Sequence, residues 1–217
     1  MWPESASAVG TVPISVVHVD EAFIVIDKPP GLLAVPGRQE SDCVWARVAC
    51  DWPDARIVHR LDQATSGLML FARGADMQRQ LSIAFASQRV QKAYEAVVHG
   101  LVDGSDGVID APLAADWPNR PRQRIDATGG KPARTSWRVA AREAAANRTR
   151  VWLEPTTGRT HQLRVHLASI GHAIVGDTLY GPATSAQEPR LLLHATQLSF
   201  AHPVLGAAQQ FRSPAPF

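Results

Sequence analysis

The stretch Arg56-Ile-Val-His-Arg-Leu-Asp-Gln-Ala-Thr-Ser-Gly-Leu-Met-Leu-Phe-Ala72 sets a polar turn, residues 59–67, between the short run 56–58 and an apolar run over 67–72. The second run predicts a buried strand. A loop that places His59, Arg60, Asp62, Thr65 and Ser66 beside such a strand holds those groups rigidly near the surface, which suits a site. Composition alone favours a plainer reading, a turn whose Asp62 and Thr65 hydrogen-bond their own backbone.

Working outward, two β-branched runs at 14–19 and 23–26 flank Asp20-Glu21-Ala22 and predict a hairpin. Residues 28–37 hold two Pro/Gly turn signals and predict a surface loop. A short helix is expected over 42–50, with Asp42 near its cap, and a second over 76–87, where Met77, Leu81, Ala84 and Phe85 recur at helical spacing. Residues 91–99 read as strand. Residues 104–134, rich in Gly, Pro, Asp and Arg, read mostly as loop with irregular strand. Strands are expected again at 134–140 and 148–154, a helix over 160–170 closed by Gly171, and a strand at 191–200 followed by loop to the end. Short antiparallel-looking strands mixed with a few helices give the class α+β rather than a regular β-α alternation. Residues 1–13 read as a loose arm before one domain, 14–217.

The 217 residues are 45% hydrophobic and 19% charged, which excludes disorder, and 15 Gly and 16 Pro without a period exclude collagen-like sequence. The formal charge is only +2, yet residues 120–164 carry eleven cations against Asp126, Glu143 and Glu154, a local balance of +8 over a remainder of −6. Cys43 and Cys50 make no disulfide framework and read as buried reduced thiols. The opening Met-Trp-Pro-Glu-Ser lacks the n- and h-regions of a signal peptide, and no apolar run approaches the ~20 residues that span a bilayer, so the cytosol is the expected compartment.

Three further segments carry chemistry-bearing residues. In Gly158-Arg-Thr-His-Gln-Leu-Arg-Val-His166, His161 and His166 stand five apart, not the four that would put two zinc ligands on one helical face, so metal binding is not expected. Arg159 and Arg164 there also fit a solvated basic face. Tyr94, on the strand beginning Gln91-Lys-Ala, fits ordinary cross-strand packing. Across 116–138, Arg120, Arg122, Arg124, Lys131, Arg134 and Arg138 alternate with Trp117 and Trp137, a pattern suited to phosphate contacts and base stacking. No Walker-type loop, G-x-G-x-x-G or G-x-S-x-G elbow is present, so nucleotide cofactors and serine hydrolysis have no support.

Taken together these segments resemble the RluA-type pseudouridine synthases. Residues 59–68 are similar to the family signature. Lys28-Pro-Pro-Gly31-Leu, Lys92-Ala-Tyr94, Gly158-Arg-Thr-His-Gln-Leu-Arg-Val-His166-Leu, Gly176-Asp177 and Leu179-Tyr180-Gly181 follow the order of its other motifs, across roughly residues 14–205. Leu163 stands where Ile is common, and the arm is too short for the S4 RNA-binding domain that many relatives carry. The resemblance implies a mixed, largely antiparallel sheet with flanking helices and a central cleft. It implies isomerisation of a specific uridine within RNA, with no cofactor and no metal. Uracil must leave C1′ from N1, turn over while held, and return through C5, which calls for a nucleophile or base near the sugar and a group managing the C5 proton.

By the same resemblance Asp62 is the catalytic carboxylate, kept ionised by Arg164 although 102 residues separate them. Attack at C1′, attack at C6 and abstraction of a sugar proton all fit it. Tyr94 stacks on the target base and Arg60 fills the gap left when the uridine flips out. His59, Thr65, Arg159 and Gln162 join them in substrate binding, with Arg122 and Arg124 on phosphates. The implied partner is RNA and not DNA or a membrane, and a monomer is the default expectation. The short chain and Asp116-Trp-Pro-Asn-Arg-Pro121 are similar to members acting on both the tRNA anticodon stem-loop and 23S rRNA. A non-catalytic RNA-binding or chaperone protein on the same fold is the alternative, and a nucleobase glycosidase would use a carboxylate at C1′ similarly.

Overall fold

The computed structural model describes residues 13–217, so the predicted arm at 1–13 lies outside the described residues apart from Pro13. From there the chain runs β1 (Ser15–Val19), β2 (Phe23–Lys28), α1 (Val44–Asp51), β3 (Ala55–Ile57), β4 (Ser66–Arg73), α2 (Gly74–Ala86), β5 (Gln91–His99), β6 (Asp106–Asp110), β7 (Leu113–Ala115), β8 (Gln123–Ile125), β9 (Arg134–Glu143), β10 (Arg148–Pro155), α3 (Gln162–Ser169), β11 (Leu193–Ala201) and β12 (Ala208–Arg212). Ten strands form one sheet in the order β1-β2-β4-β11-β5-β10-β9-β6, with β3 also on β4 and β12 also on β11, while β7 and β8 pair separately. The class is α+β, as the mixed pattern predicts.

The uniformly apolar run 67–72 is explained by burial on both faces of β4. Leu68, Leu70 and Ala72 join Phe23 and Val25 of β2 in a cluster under α2, packed by Met77, Ala84 and Phe85. Met69 and Phe71 join Ile24 and Ile26 in a cluster on the opposite face with Val44 and Val48 of α1. A third cluster places Leu163 and Leu167 of α3 on Ala96, Val98, Val151 and Leu153 of β5 and β10.

The two halves meet where β4 and β11 pair in parallel over two positions only, Ser66 with His194 and Gly67 with Ala195. Beyond that junction they part, β4 to pair with β3 and β11 with β12. Gly67 is required there. Its φ is +111°, and a Cβ would lie 2.4 Å from the Ala195 carbonyl oxygen. The polar turn 59–67 therefore enters β4 at the seam between the two halves.

Several expectations need correction. The α1 cap is Cys43, whose Sγ accepts from the Ala46 N–H at 3.4 Å; the Asp42 carboxylate instead takes two bonds from Arg47. Cys43 is buried but Cys50 is exposed, and both are free thiols. Residues 104–134 are more regular than their composition suggests, because β6 gains a partner in β9 and β7 and β8 form a hairpin. The tail after residue 201 holds the further strand β12, paired along β11, whose sequence shows only Phe211 to the core. The third helix starts at Gln162, not Thr160, since His161 takes left-handed backbone angles; it ends as expected, with Gly171 at φ +86° and bonds from Gly171 and His172 back to Ala168 and Leu167. Among the described residues, no helix is long and apolar enough to cross a membrane.

Candidate active site

The turn that carries Asp62 is clamped from beneath. Lys28, fully buried at the end of β2, donates to the carbonyls of Pro29, Gln63 and Thr65 at 2.8–2.9 Å. Burial pushes its pKa down to about 7, while three acceptors match the three N–H donors that only the ammonium form has. Gly31 and Gln63 add two more bonds between the same loops. His59 fixes the other end of the turn, its Nε2 accepting from the Leu70 N–H at 2.9 Å and its ring stacked on Phe85. Burial, with the nearby Lys92 charge, lowers its pKa to about 3, which keeps that nitrogen free to accept.

So held, Asp62 faces an open cavity of about 980 Å³ also lined by Arg60, Lys92, Tyr94, Arg159, His161 and Arg164. The carboxylate does not bond its own turn, where the plainer reading put it; only its backbone carbonyl does, accepting from the Thr65 N–H. Its Oδ2 lies 3.6 Å from Arg164 Nη1, so α3 and the turn meet although 102 positions apart in sequence. Arg164 is 6% exposed in its side chain and is gripped by Asp177 through two bonds of 2.7 Å. Burial opposes its charge, but Asp177 outweighs that and holds its pKa above the ordinary value. Tyr94, on β5 opposite Ala195, packs between two core clusters, and burial and the Asp62 charge both raise its phenol pKa.

The remaining candidates divide by what their polar atoms already touch. Arg60 is exposed on the cavity, and Arg159 lines it while its Nε bonds the Pro132 carbonyl. Thr65 is buried below. Gln162 is buried and spends its whole amide on the protein: Oε1 accepts from Thr157 and the Arg159 N–H, and Nε2 donates to Arg134 O and Thr135 Oγ1. Arg122 and Arg124 stand outside the cavity, exposed, on or beside β8, and Arg124 is paired with Asp126 at 3.0 Å. The +8 segment is also not one cationic surface. Arg134, Arg148, Arg150 and Arg164 are neutralised by Asp110, Glu188, Glu95 and Asp177, acids that lie outside the segment in sequence. Among the described residues no cluster of three His, Cys, Asp or Glu side chains could hold a metal ion.

Residues 22–169 match the family model described as RNA pseudouridylate synthase. The chain is 45% identical over 205 residues to the dual-specificity RNA pseudouridine synthase RluA of Escherichia coli K12, covering 93% of each chain. It is 46% identical over 193 residues to the Vibrio cholerae protein of that name, covering 88% of this chain and 78% of that one. This chain belongs to the RluA-type pseudouridine synthases. The structure of human RNA Pseudouridylate Synthase Domain Containing 1 superposes with a TM-score of 0.81 at 28% identity, over 99% of this chain and 87% of that one.

For an RNA pseudouridine synthase of this type, the quoted motifs contain more of the site than the sequence could assign. Asp177 and Tyr180 lie in the downstream motifs without an obvious task, yet Asp177 holds Arg164 and the Tyr180 ring lies 5.2 Å from its guanidinium. Lys28 and Lys92 were visible only as motif letters.

Proposed function

We propose that this RNA pseudouridine synthase isomerises loop uridines of the tRNA anticodon stem-loop and of 23S rRNA, with Asp62 as the catalytic carboxylate. The observation that carries the reading is the meeting of Asp62 and Arg164 at 3.6 Å in one cavity with Tyr94. Arg164 sets a fixed positive charge beside the Asp62 carboxylate, and Asp177 keeps Arg164 from swinging away. The uracil–ribose bond at N1 breaks, a bond from C1′ to C5 forms, the C5 proton leaves and N1 takes one up, so nothing is gained or lost overall. Tyr94 offers a flat face for the detached uracil while it turns, and its raised pKa leaves the hydroxyl protonated. Arg60 at the rim occupies the space of the flipped nucleotide in the RNA stack. Arg159, Arg122 and Arg124 contact phosphates. Thr65 and Gln162 act from beneath, fixing the loops that substrate touches, and His59 stands in the cavity wall. One domain over 14–217 does this as a monomer in the cytoplasm.

RNA tritiated at uracil C5 tests the chemistry. Wild type releases tritium and Asp62→Asn does not; equal release, or free uracil as product, refutes the assignment. Mapping pseudouridine in tRNA and 23S rRNA from cells lacking the gene, with and without complementation, tests the substrates.

A further inference from the structure

His161 lines the cavity with no role in the scheme above, and its backbone is held at a cost. It sits at φ 53° and ψ 19°, the left-handed region, immediately before α3. A non-glycine residue is uncommon there and persists where surrounding contacts impose it. The contact that imposes it is a hydrogen bond of 2.7 Å between His161 Nδ1 and the Tyr180 hydroxyl. That hydroxyl also receives the N–H of Gln123, at 2.7 Å, from β8.

A backbone N–H can only donate, so the Tyr180 oxygen accepts from Gln123; His161 Nδ1 is the one acceptor given for the hydroxyl's own hydrogen among the described residues, and the arrangement that uses that hydrogen sends it there. Nδ1 is then an acceptor, and a neutral ring carries its proton on Nε2. Burial lowers the His161 pKa, which favours the neutral ring at pH 7. Nε2 has no hydrogen-bond partner among the described residues and is not sealed from solvent. The ring therefore presents one N–H to the cavity that holds Asp62.

We propose that His161 donates its Nε2–H to the flipped nucleotide during the reaction, and that Tyr180 is the positioning residue that sets this tautomer and ties it to the arginine-bearing β7–β8 hairpin. The proposal rests on the assignment of this cavity to the reacting uridine.

Single-turnover tritium release at saturating RNA tests it, with RNA affinity and melting temperature measured on the same samples. His161→Ala slows release about 100-fold, the effect of removing one preorganised donor, with little change in affinity. His161→Asn, which tolerates left-handed angles and keeps an amide N–H, recovers at least about tenfold of that. In wild type, nitrogen NMR shows the Nε2–H tautomer of His161; in Tyr180→Phe it shows a mixture, and release slows about tenfold. Wild-type release by His161→Ala refutes the donor, as does an Asn variant that melts like wild type yet is no faster than Ala. Absence of tritium release by the wild type refutes the underlying reading, and the donor with it.

Discussion

Replacing Asp177 by Asn tests how the centre is held. Asp177 is wholly buried and its Oδ1 accepts from Leu179 N–H at 2.9 Å and Tyr180 N–H at 3.1 Å as well as from Arg164. The other oxygen, Oδ2, takes the second guanidinium bond. Asn fills the same volume but offers one oxygen and one NH2. Whichever way the amide turns, its NH2 group faces N–H donors, either that of Arg164 Nε or the three from Arg164 Nη2, Leu179 and Tyr180. The variant thus loses a charge and opposes donors at once. Breaking a buried ion pair by removing one partner costs about 3–5 kcal/mol, because the other charge stays in the interior. For a domain of this size that lowers the melting temperature by about 6–20 °C. Arg164 then has Asp62, at 3.6 Å, as its remaining carboxylate. It closes on Asp62 and draws it from the substrate side, so single-turnover tritium release falls at temperatures where the variant is fully folded. Calorimetry and tritium release on the same preparation measure both. A melting temperature within about 2 °C of wild type, or an unaltered rate, refutes the argument that Asp177 holds Arg164 in place.

Lys28→Met keeps the apolar stem but leaves the carbonyls of Pro29, Gln63 and Thr65 without their donor, and a urea titration is expected to show a loss of about 3 kcal/mol. Because the folded His59 pKa, about 3, lies below its ordinary 6.5, the unfolded chain alone takes up that proton between those values; stability falls as pH drops from 6.5 towards 3. His59→Gln, which can still accept from Leu70, flattens that part of the fall in urea midpoints between about pH 7 and about pH 4.5. On RNA, Arg122→Ala weakens binding for all sequences and reduces the salt slope by about one, whereas Arg124→Ala does less because Asp126 already neutralises Arg124. Equal slopes for the two variants contradict that pairing argument.

How far the sequence reveals the fold follows from what each signal measures. The run 67–72 betrays β4 because burial on both faces requires apolar residues at every position. β12 shows nothing comparable. Its Ala208-Gln-Gln-Phe-Arg212 is an outer strand whose pairing to β11 is made by backbone groups, which every residue has. The early start predicted for α3 fails for a different reason: helical spacing runs through His161, but a tertiary hydrogen bond from Tyr180 holds that residue in the left-handed region. Charge counting fails likewise. The segment 120–164 sums to +8 only until the fold brings Glu95, Asp110, Asp177 and Glu188 against four of its arginines.

The site poses a sharper form of the same problem, because membership of a motif does not say which way a residue works. His59 and Gln162 stand in the same segments as Asp62, Arg60 and Arg159, Lys28 opens another of the motifs, and by residue type any of them could bind RNA. Hydrogen-bond accounting separates the two groups. Gln162 has all four amide positions occupied by protein, Lys28 all three ammonium hydrogens, and His59 gives its accepting nitrogen to Leu70. Gln162 and Lys28 have little left to offer a ligand, and buried polar groups satisfied in this way specify one loop geometry, whereas His59, part-buried on the cavity wall, keeps its second ring nitrogen. Asp62 keeps most of its acceptor capacity with a side chain 25% exposed, and the His161 ring keeps an N–H. What remains unsatisfied after the protein has bonded to itself, and can still be reached from the cavity, is what the substrate meets.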